Sequence, residues 1–408
     1  MRQRFQPGLL RGFGPEILAA ASDNDPTNVG TAAAVGAGSG YQLCWVAVLV
    51  APLLAVVMSI AAQVGMVARD DLQSLTRKRF GPGVAAVLLV SVVVVNLVTI
   101  AADLMAGSAG IGLLAGVDFR WLVVPLGVAL TALLLVGKYA EVVAFLRYLL
   151  LGFAAFGVAA FMAHPDWGRV LHSSVVPVLS TSTAGASLAL LGTTLTGYVY
   201  MWETIGRGLE AQPDRPPAAL SQARVGAVAG SIVTAVILWF MLVVCAATLG
   251  KHHATVSSAG QAAAALKPLA GQGAADIFAV GLITSAVVAL PVLMATTAHV
   301  VGAQFDWRRG LSEGITGARG FYAALVASVG LALIFALSGI SVIGLLEAAS
   351  VIGGLGTPIG LVLLVRLGRD AQVMGTRVIT RRLAAAGWIV AVVVGGLSLL
   401  FVGSAALS

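Results

Sequence analysis

Apolar runs of membrane-crossing length fill nearly the whole chain, and nothing else in the sequence constrains its fold as tightly. A spanning helix needs about 20 mostly apolar residues. Eleven segments qualify: 15–39, 42–67, 83–115, 120–137, 140–162, 184–209, 221–249, 274–303, 320–338, 342–365 and 383–404. Lipid offers no partners to a bare backbone, so each run is read as a helix. With 59% hydrophobic and only 10% charged residues among 408, no polar block remains that could fold as a separate soluble domain. Residues 1–408 therefore read as one all-α transmembrane domain, with the lipid bilayer as solvent. The basic, Gly- and Pro-bearing start lacks a cleavage pattern, so the first helix is expected to be retained. Cys44 and Cys245 sit in apolar stretches without partner spacing, which suggests neither a disulfide framework nor a zinc site.

Lys and Arg set the orientation, because cytoplasmic loops keep the positive charge. With the N-terminus inside, only Arg120, Arg169, Lys251 and Lys267 of the 24 basic residues fall on the outer side. The reading is thus an inner (plasma) membrane protein, multi-pass, with a cytoplasmic N-terminus and an extracytoplasmic C-terminus. The net charge of +7 reports this topology and an anionic inner leaflet, and gives no reason to expect nucleic acid as a partner.

Two runs are interrupted. The first carries Ser22-Asp23-Asn24-Asp25-Pro26-Thr27-Asn28 in its middle, and the sixth carries Gly192-Thr193-Thr194-Leu195-Thr196-Gly197 at a corresponding depth. Pro26 removes a backbone donor and Gly197 weakens a helix by about 1 kcal/mol relative to Ala, so unwinding is easy at both places. Unwound carbonyls at membrane depth are tolerated only where they line a cavity or hold a ligand. Breaks five helices apart are the pattern of two inverted repeats meeting at a substrate site. The repeats would run over about 15–162 and 184–365, with an extra helix at about 383–404. A buried acid among free carbonyls suits a hard cation. Asp25 is the leading ligand and Asn28 can add a side-chain carbonyl, against the plainer possibility that Asp25 only caps the restarting helix. Asp23 and Asn24 read as caps or supporting partners.

At these residues the chain resembles the Nramp family of divalent metal transporters, whose first helix carries Asp-Pro-Gly-Asn and whose sixth carries Met-Pro-His. Here the first motif stands as Asp25-Pro26-Thr27-Asn28, the sixth as Thr196-Gly197-Tyr198, and Ala102-Asp103-Leu104 also looks like the family's third helix. The resemblance implies a LeuT-type fold of five plus five helices with an eleventh added, helices one and six being broken. It implies a secondary transporter working by alternating access. The metal ligands would be Asp25, Asn28, Thr196, the carbonyls of Ser22 and Thr193, and Ser350, which aligns with an ion-facing position.

Departures from the family pattern carry their own expectations. Thr196 puts a hard hydroxyl where the family has a thioether, which favours Mg²⁺ and resembles the Nramp-related magnesium transporters, while Asn28 keeps Mn²⁺ open. Tyr198 replaces the family's histidine, and Ala106 stands where an acid is expected after Asp103. With few titratable relay groups left, H⁺ coupling should be weak or absent.

Asp103, Tyr198, Glu203 and Glu347 are candidates for gating or proton relay. For Asp103 the plainer role is tying its helix to a neighbouring backbone or Arg. Glu203 and Arg207 have the spacing of an i,i+4 pair at the cytoplasmic mouth, and Glu16 suits a helix N-terminus. Glu347 and Ser350, one turn apart, suggest a watery vestibule. His252 and His253 read as solvated loop residues, and His299 as a packed or interfacial one. Pro125, Pro291 and Pro358 read as ordinary kinks, and Gly107, Gly110 and Gly112 as close helix packing. Gly81-Pro82-Gly83 is a turn and lacks the lysine of a P-loop, so no ATP-binding domain is expected.

The competing reading is a LeuT-fold carrier for an amino acid or small organic cation. Asp25 would repel a carboxylate, which leaves an amine as the stronger form of that alternative. An intramembrane enzyme would need a nucleophile with its base, or a His/Glu metal set, and neither constellation occurs. No resident cofactor is expected.

Overall fold

The computed structural model describes residue 19 and residues 22–137, 139–178, 181–210, 218–250, 262–263, 271–339 and 342–407. Every regular element among them is helical. Glu16, His252 and His253 lie outside the described residues, as do the side chains of Glu347 and Ser350.

The helix after the first break, α1 (Pro26–Ser39), passes through a tight turn at Gly40–Leu43 into α2 (Cys44–Ala68). Then follow α3 (Leu72–Phe80), α4 (Pro82–Ala115), α5 (Arg120–Val136), α6 (Tyr139–Leu149) and α7 (Ala154–Met162). The second half holds α8 (Trp167–Val175), α9 (Thr181–Thr194), α10 (Gly197–Glu210), α11 (Ala218–Thr248), α12 (Gln272–Gln304), α13 (Arg319–Leu337), α14 (Val342–Arg369) and α15 (Arg381–Leu407). By length and composition, six stretches among the described residues can cross a membrane, and the first of them, Pro26–Ala68, is long enough to hold two passes. Exposed Val90, Val128, Ile334 and Val392 give the outer surface the apolar character that lipid requires.

Three features depart from the runs read in the sequence. The 140–162 run is two helices joined by a 3₁₀ turn at Leu150–Phe153. Between spans lie two short helices: α3, started by Asp71 Oδ1 accepting the Ser74 N–H at 2.8 Å, and α8, started by Asp166 in the same way. Both are too short and too polar to register as spans. Pro125, Pro291 and Pro358 do sit inside helices.

Helices five spans apart pack on one another: α2 against α11, α4 against α12, and α1 against α9. A pseudo-twofold relation between two repeats produces this pairing, since each element must meet its counterpart across the axis. Small residues allow the close approach. A Cβ on Gly107 would fall 2.6 Å from the Ala286 Cβ, and one on Gly110 would meet Ile283 at 3.0 Å. Gly112 instead makes room for the turn at Val117, 2.6 Å away. Cys44 and Cys245 are buried free thiols, and His299 is a packed residue set edge-on against Phe321 and Trp202.

Candidate metal centre

The first break is built by its own sequence. Helix ends near Ser22, whose Oγ donates back to the Ala19 carbonyl at 2.7 Å, and the chain runs irregularly through Asp23, Asn24 and Asp25. Pro26 then occupies the first helical position, where its missing N–H costs nothing. Asp25 is extended, with φ −70° and ψ 168°, and its Oδ1 accepts the Asn28 N–H at 2.9 Å. Asp25 is therefore the cap of α1. The plainer sequence reading of Asp25 as a cap is thus met, while Asp23 and Asn24, read as caps or supporting partners, take the second role through Thr196 and Ser285. Capping occupies Oδ1 and leaves Oδ2, whose nearest partner is the Tyr198 hydroxyl at 3.3 Å. The second break lies at Leu195 and Thr196, between α9 and α10.

Side-chain hydroxyls stitch the two breaks together. The Tyr198 O–H donates to the Ser22 carbonyl at 2.6 Å, and the Thr196 O–H to Asp23 Oδ1 at 2.6 Å. A hydroxyl has one proton, so Tyr198 spends its proton on Ser22, and the longer contact leaves Asp25 Oδ2 without a full bond. The same count applies to Thr194, whose proton goes to the Leu190 carbonyl at 2.5 Å and not to Asn28 Oδ1 at 3.2 Å. Asn28 Oδ1 thus keeps acceptor capacity, while its amide donates to the Asp23 carbonyl and pins the break. From α12, Ser285 Oγ donates to the Asn24 carbonyl. The Thr27 O–H reaches Asp103 Oδ1 on α4 at 3.2 Å.

Asp23, Asn24, Asn28 and Asp103 have no exposed surface and Asp25 has 1%. Asp23 Oδ2, Asp103 Oδ2 and both polar atoms of the Asn24 side chain are buried without a protein partner. Hydroxyls and N–H groups are what bond these acids; no Lys, Arg or His does so among the described residues. Nor do three His, Cys, Asp or Glu side chains group closely enough to hold a metal by themselves among the described residues. Any cation here would be held by a mixed set of carboxylate, amide, hydroxyl and carbonyl oxygens, the ligand type of hard ions.

Of the residues read from the sequence, Asp25, Asn28, Ser22, Thr196, Tyr198 and Asp103 come together at the breaks. Thr193 is nearby but its hydroxyl bonds back to the Ala189 carbonyl at 2.8 Å, so only its main chain, in the last turn of α9, could face an ion. Asp103 ties α4 to α1 at Thr27, through that residue's hydroxyl, which is the neighbour-tying role of the plainer reading with a hydroxyl partner. Glu203 is away from the centre: it pairs with Arg207 at 3.0 Å, both buried, as the i,i+4 spacing implies. Ser285 was missed by sequence reasoning. Its only signal was a hydroxyl in the middle of a small-residue stretch.

The Nramp profile, described as natural resistance-associated macrophage protein-like, matches residues 16–404. The chain belongs to the Nramp family. Among its curated relatives, the divalent metal cation transporter MntH of Xylella fastidiosa is 30% identical over 97% of this chain and 85% of that protein. MntH of Deinococcus radiodurans is 28% identical over 95% of this chain and 88% of its own. Among solved structures, the manganese transporter of Eremococcus coleocola in complex with an aromatic bis-isothiourea compound superposes with a TM-score of 0.77 at 19% identity, covering 98% of this chain and 89% of that one. MhsT in complex with L-phenylalanine superposes at 0.64 and 13% identity, over 99% of this chain and all of its own. The Nramp chain has the LeuT-type fold of two inverted five-helix repeats plus an eleventh helix, with helices one and six broken, and it is a multi-pass membrane protein.

Proposed function

We propose that this chain is a secondary transporter of a divalent metal cation, Mg²⁺ and/or Mn²⁺, that binds between the two helix breaks. One observation carries the reading: buried carboxylates gather at paired breaks, and no cation among the described residues bonds them. An isolated ionised acid inside a membrane is too costly to keep without a counter-charge, and a transported ion supplies it. The ligand set is Asp25 Oδ2, Asn28 Oδ1, Thr196 Oγ1 and main-chain carbonyls of Ser22 and Thr193, with Ser350 as a further contributor. Family membership and the MntH relatives support the substrate class. The hydroxyl of Thr196 supports a hard ion and the Nramp-related magnesium branch.

Alternating access follows from where the halves are tied. On the inner half, α10 is clamped on α2, where a Gly65 Cβ would fall 2.8 Å from the Thr204 carbonyl, and Glu203 and Arg207 pair beside it. On the outer half, a Cβ at Gly192 would meet nothing within 4 Å. Entry is from the outer side, with the cytoplasmic N-terminus and plasma-membrane location that the Lys and Arg distribution favours. Release requires the α10 contacts to open. Proton coupling is weak, because Tyr198 stands where a histidine relay would be and Ala106 where an acid is expected after Asp103. Asp103 and Tyr198 act as gating groups through Thr27 and Ser22.

The test is uptake of Mg²⁺, Mn²⁺ and Ca²⁺ into liposomes holding the purified protein and an internal pH dye. Divalent uptake that Asp25→Ala abolishes, with little dye response, is the expected result. No divalent uptake under any gradient would sink the reading, and inhibition by small amines would turn attention to an organic-cation carrier.

A further inference from the structure

Asp23 is the acid at the break that capping does not explain. It is fully buried, it is not the cap of α1, and it stands outside the Asp25-to-Asn28 motif. Its Oδ1 accepts from Thr196 at 2.6 Å, but a neutral amide carbonyl would accept the same bond. The charge itself is unaccounted for. Oδ2 is buried with no protein partner, and the adjacent Asn24 side chain leaves its carbonyl and its amide equally unpartnered. Buried polar atoms without partners are rare in folded proteins and point to a bound group that completes them.

Charge balance says what that group is. A dication facing Asp25 alone would leave one positive charge unmatched; Asp103 approaches from α4 by way of Thr27, whereas Asp23 lies in the break itself and is tied to Thr196 of the second break. Asp23 and Asp25 stand two residues apart in the first break, their carboxylates contacted by Thr196 and Tyr198 of the second, and together they match a dication. The number of ligand charges is a main determinant of affinity in oxygen-ligand sites.

We infer that Asp23 is a second carboxylate of the cation site, presenting Oδ2 to the dication or to a water that the ion keeps, with Thr196 fixing the carboxylate's orientation. The inference rests on the transport reading and deepens it. It makes the site a two-carboxylate hard-ion site in which an acid five residues before Asn28 replaces the missing soft ligand of helix six. Mg²⁺ keeps several waters and takes one or two carboxylates, which fits an ion held across two breaks by few direct contacts.

Isothermal titration of Mg²⁺ and Mn²⁺ into the purified full chain tests this, with the melting temperature measured without metal alongside. Asp23→Asn, which can keep the Thr196 bond but removes the charge, is expected to weaken Mg²⁺ binding by about 10- to 100-fold, the range over which ligand charge moves such sites. Its metal-free melting temperature should be unchanged or higher, because an unpaired buried charge has been removed. Thr196→Val keeps the charge and loses the tie, and should cost less than about tenfold. Asp23→Ser is a second neutral variant, read in the same way. Should Asp23→Asn bind within about twofold of the parent while Asp25→Asn does not bind, the inference is overturned and the transport reading stands. If both neutral variants fail to fold without metal, Asp23 is structural and the inference is equally overturned. If the parent itself binds no divalent ion, both readings fall together.

Discussion

Carboxylates occur in two settings in this molecule, and their partners differ in kind. At one mouth of the helix bundle each of several acids faces a protein cation. Asp71 receives Arg309 at 2.8 Å, Asp70 receives Lys78 at 2.6 Å, Arg79 bonds Asp370, and Glu203 pairs with Arg207. Midway across the membrane, Asp23, Asp25 and Asp103 are bonded by hydroxyls and N–H groups. The mouth acids are neutralised within the chain, so they can hold segments together but offer little to a passing ion. Those at the midplane need a charge from outside the chain, which is why the first set reads as structure and the second as a binding site.

Giving the midplane a cation of its own should break this contrast most sharply. Asn24→Lys puts an ammonium beside Asp23 and Asp25 in competition with the metal. Divalent affinity should fall by about two decades, about 3 kcal/mol, measured by calorimetry, while the size-matched Asn24→Met, which removes the amide without adding a charge, should lose far less. Retained affinity in the lysine variant would mean that the acids are not the site.

Removing a cation from the mouth is the converse test. Arg309 bonds Asp70, Asp71 and Ser74, so Arg309→Gln should lower stability by about 1–3 kcal/mol, discounted for its partial exposure, and leave divalent affinity unchanged. Burial pushes the Asp71 carboxyl up and the Arg309 guanidinium opposes that. A raised acid binds more protons folded than unfolded, so its contribution is present at low pH and is lost as pH rises from the usual carboxylate range through the raised value. Without Arg309 that loss should extend to higher pH in thermal melts across pH. An unchanged profile would show that the pair is not formed.

Thr196→Met restores a soft ligand at the second break and should sharpen the comparison within the site. Preference for Zn²⁺ over Mg²⁺, read by competition binding, should rise by about tenfold. The smallest effect belongs to the exposed pair: Arg79→Gln should cost at most about 1 kcal/mol. Arg79 holds Asp370 below the usual carboxylate range, so its contribution is present above that range and is lost as pH falls through the lowered value. The variant should show that small loss at neutral pH and converge on the parent as pH falls through the acid range.

Long spans were legible because hydropathy and length are local properties: the 274–303 run became Gln272–Gln304, and 83–115 became Pro82–Ala115. The two breaks were legible for the same reason, since Pro26 and Gly197 act on their own turns. Residues whose roles depend on a partner far along the chain were not. Asp23 could be read only as a cap or a supporting partner because its bond to Thr196 spans 173 positions, and nothing near Ser285 marked it as the donor to Asn24. Tyr198 registered as a lost histidine, whereas its hydroxyl ties the breaks together through Ser22. Short α3 and α8 escaped because their starts are set by single capping acids, Asp71 and Asp166.

The most direct test of the central claim is an anomalous difference map from crystals of this protein grown with Mn²⁺. The account requires a peak between the two helix breaks, within direct or water-bridged reach of Asp25 and Asn28. A protein that binds Mn²⁺ in solution but shows its peak only at the ion-paired acids of the mouth, with none between the breaks, would contradict it.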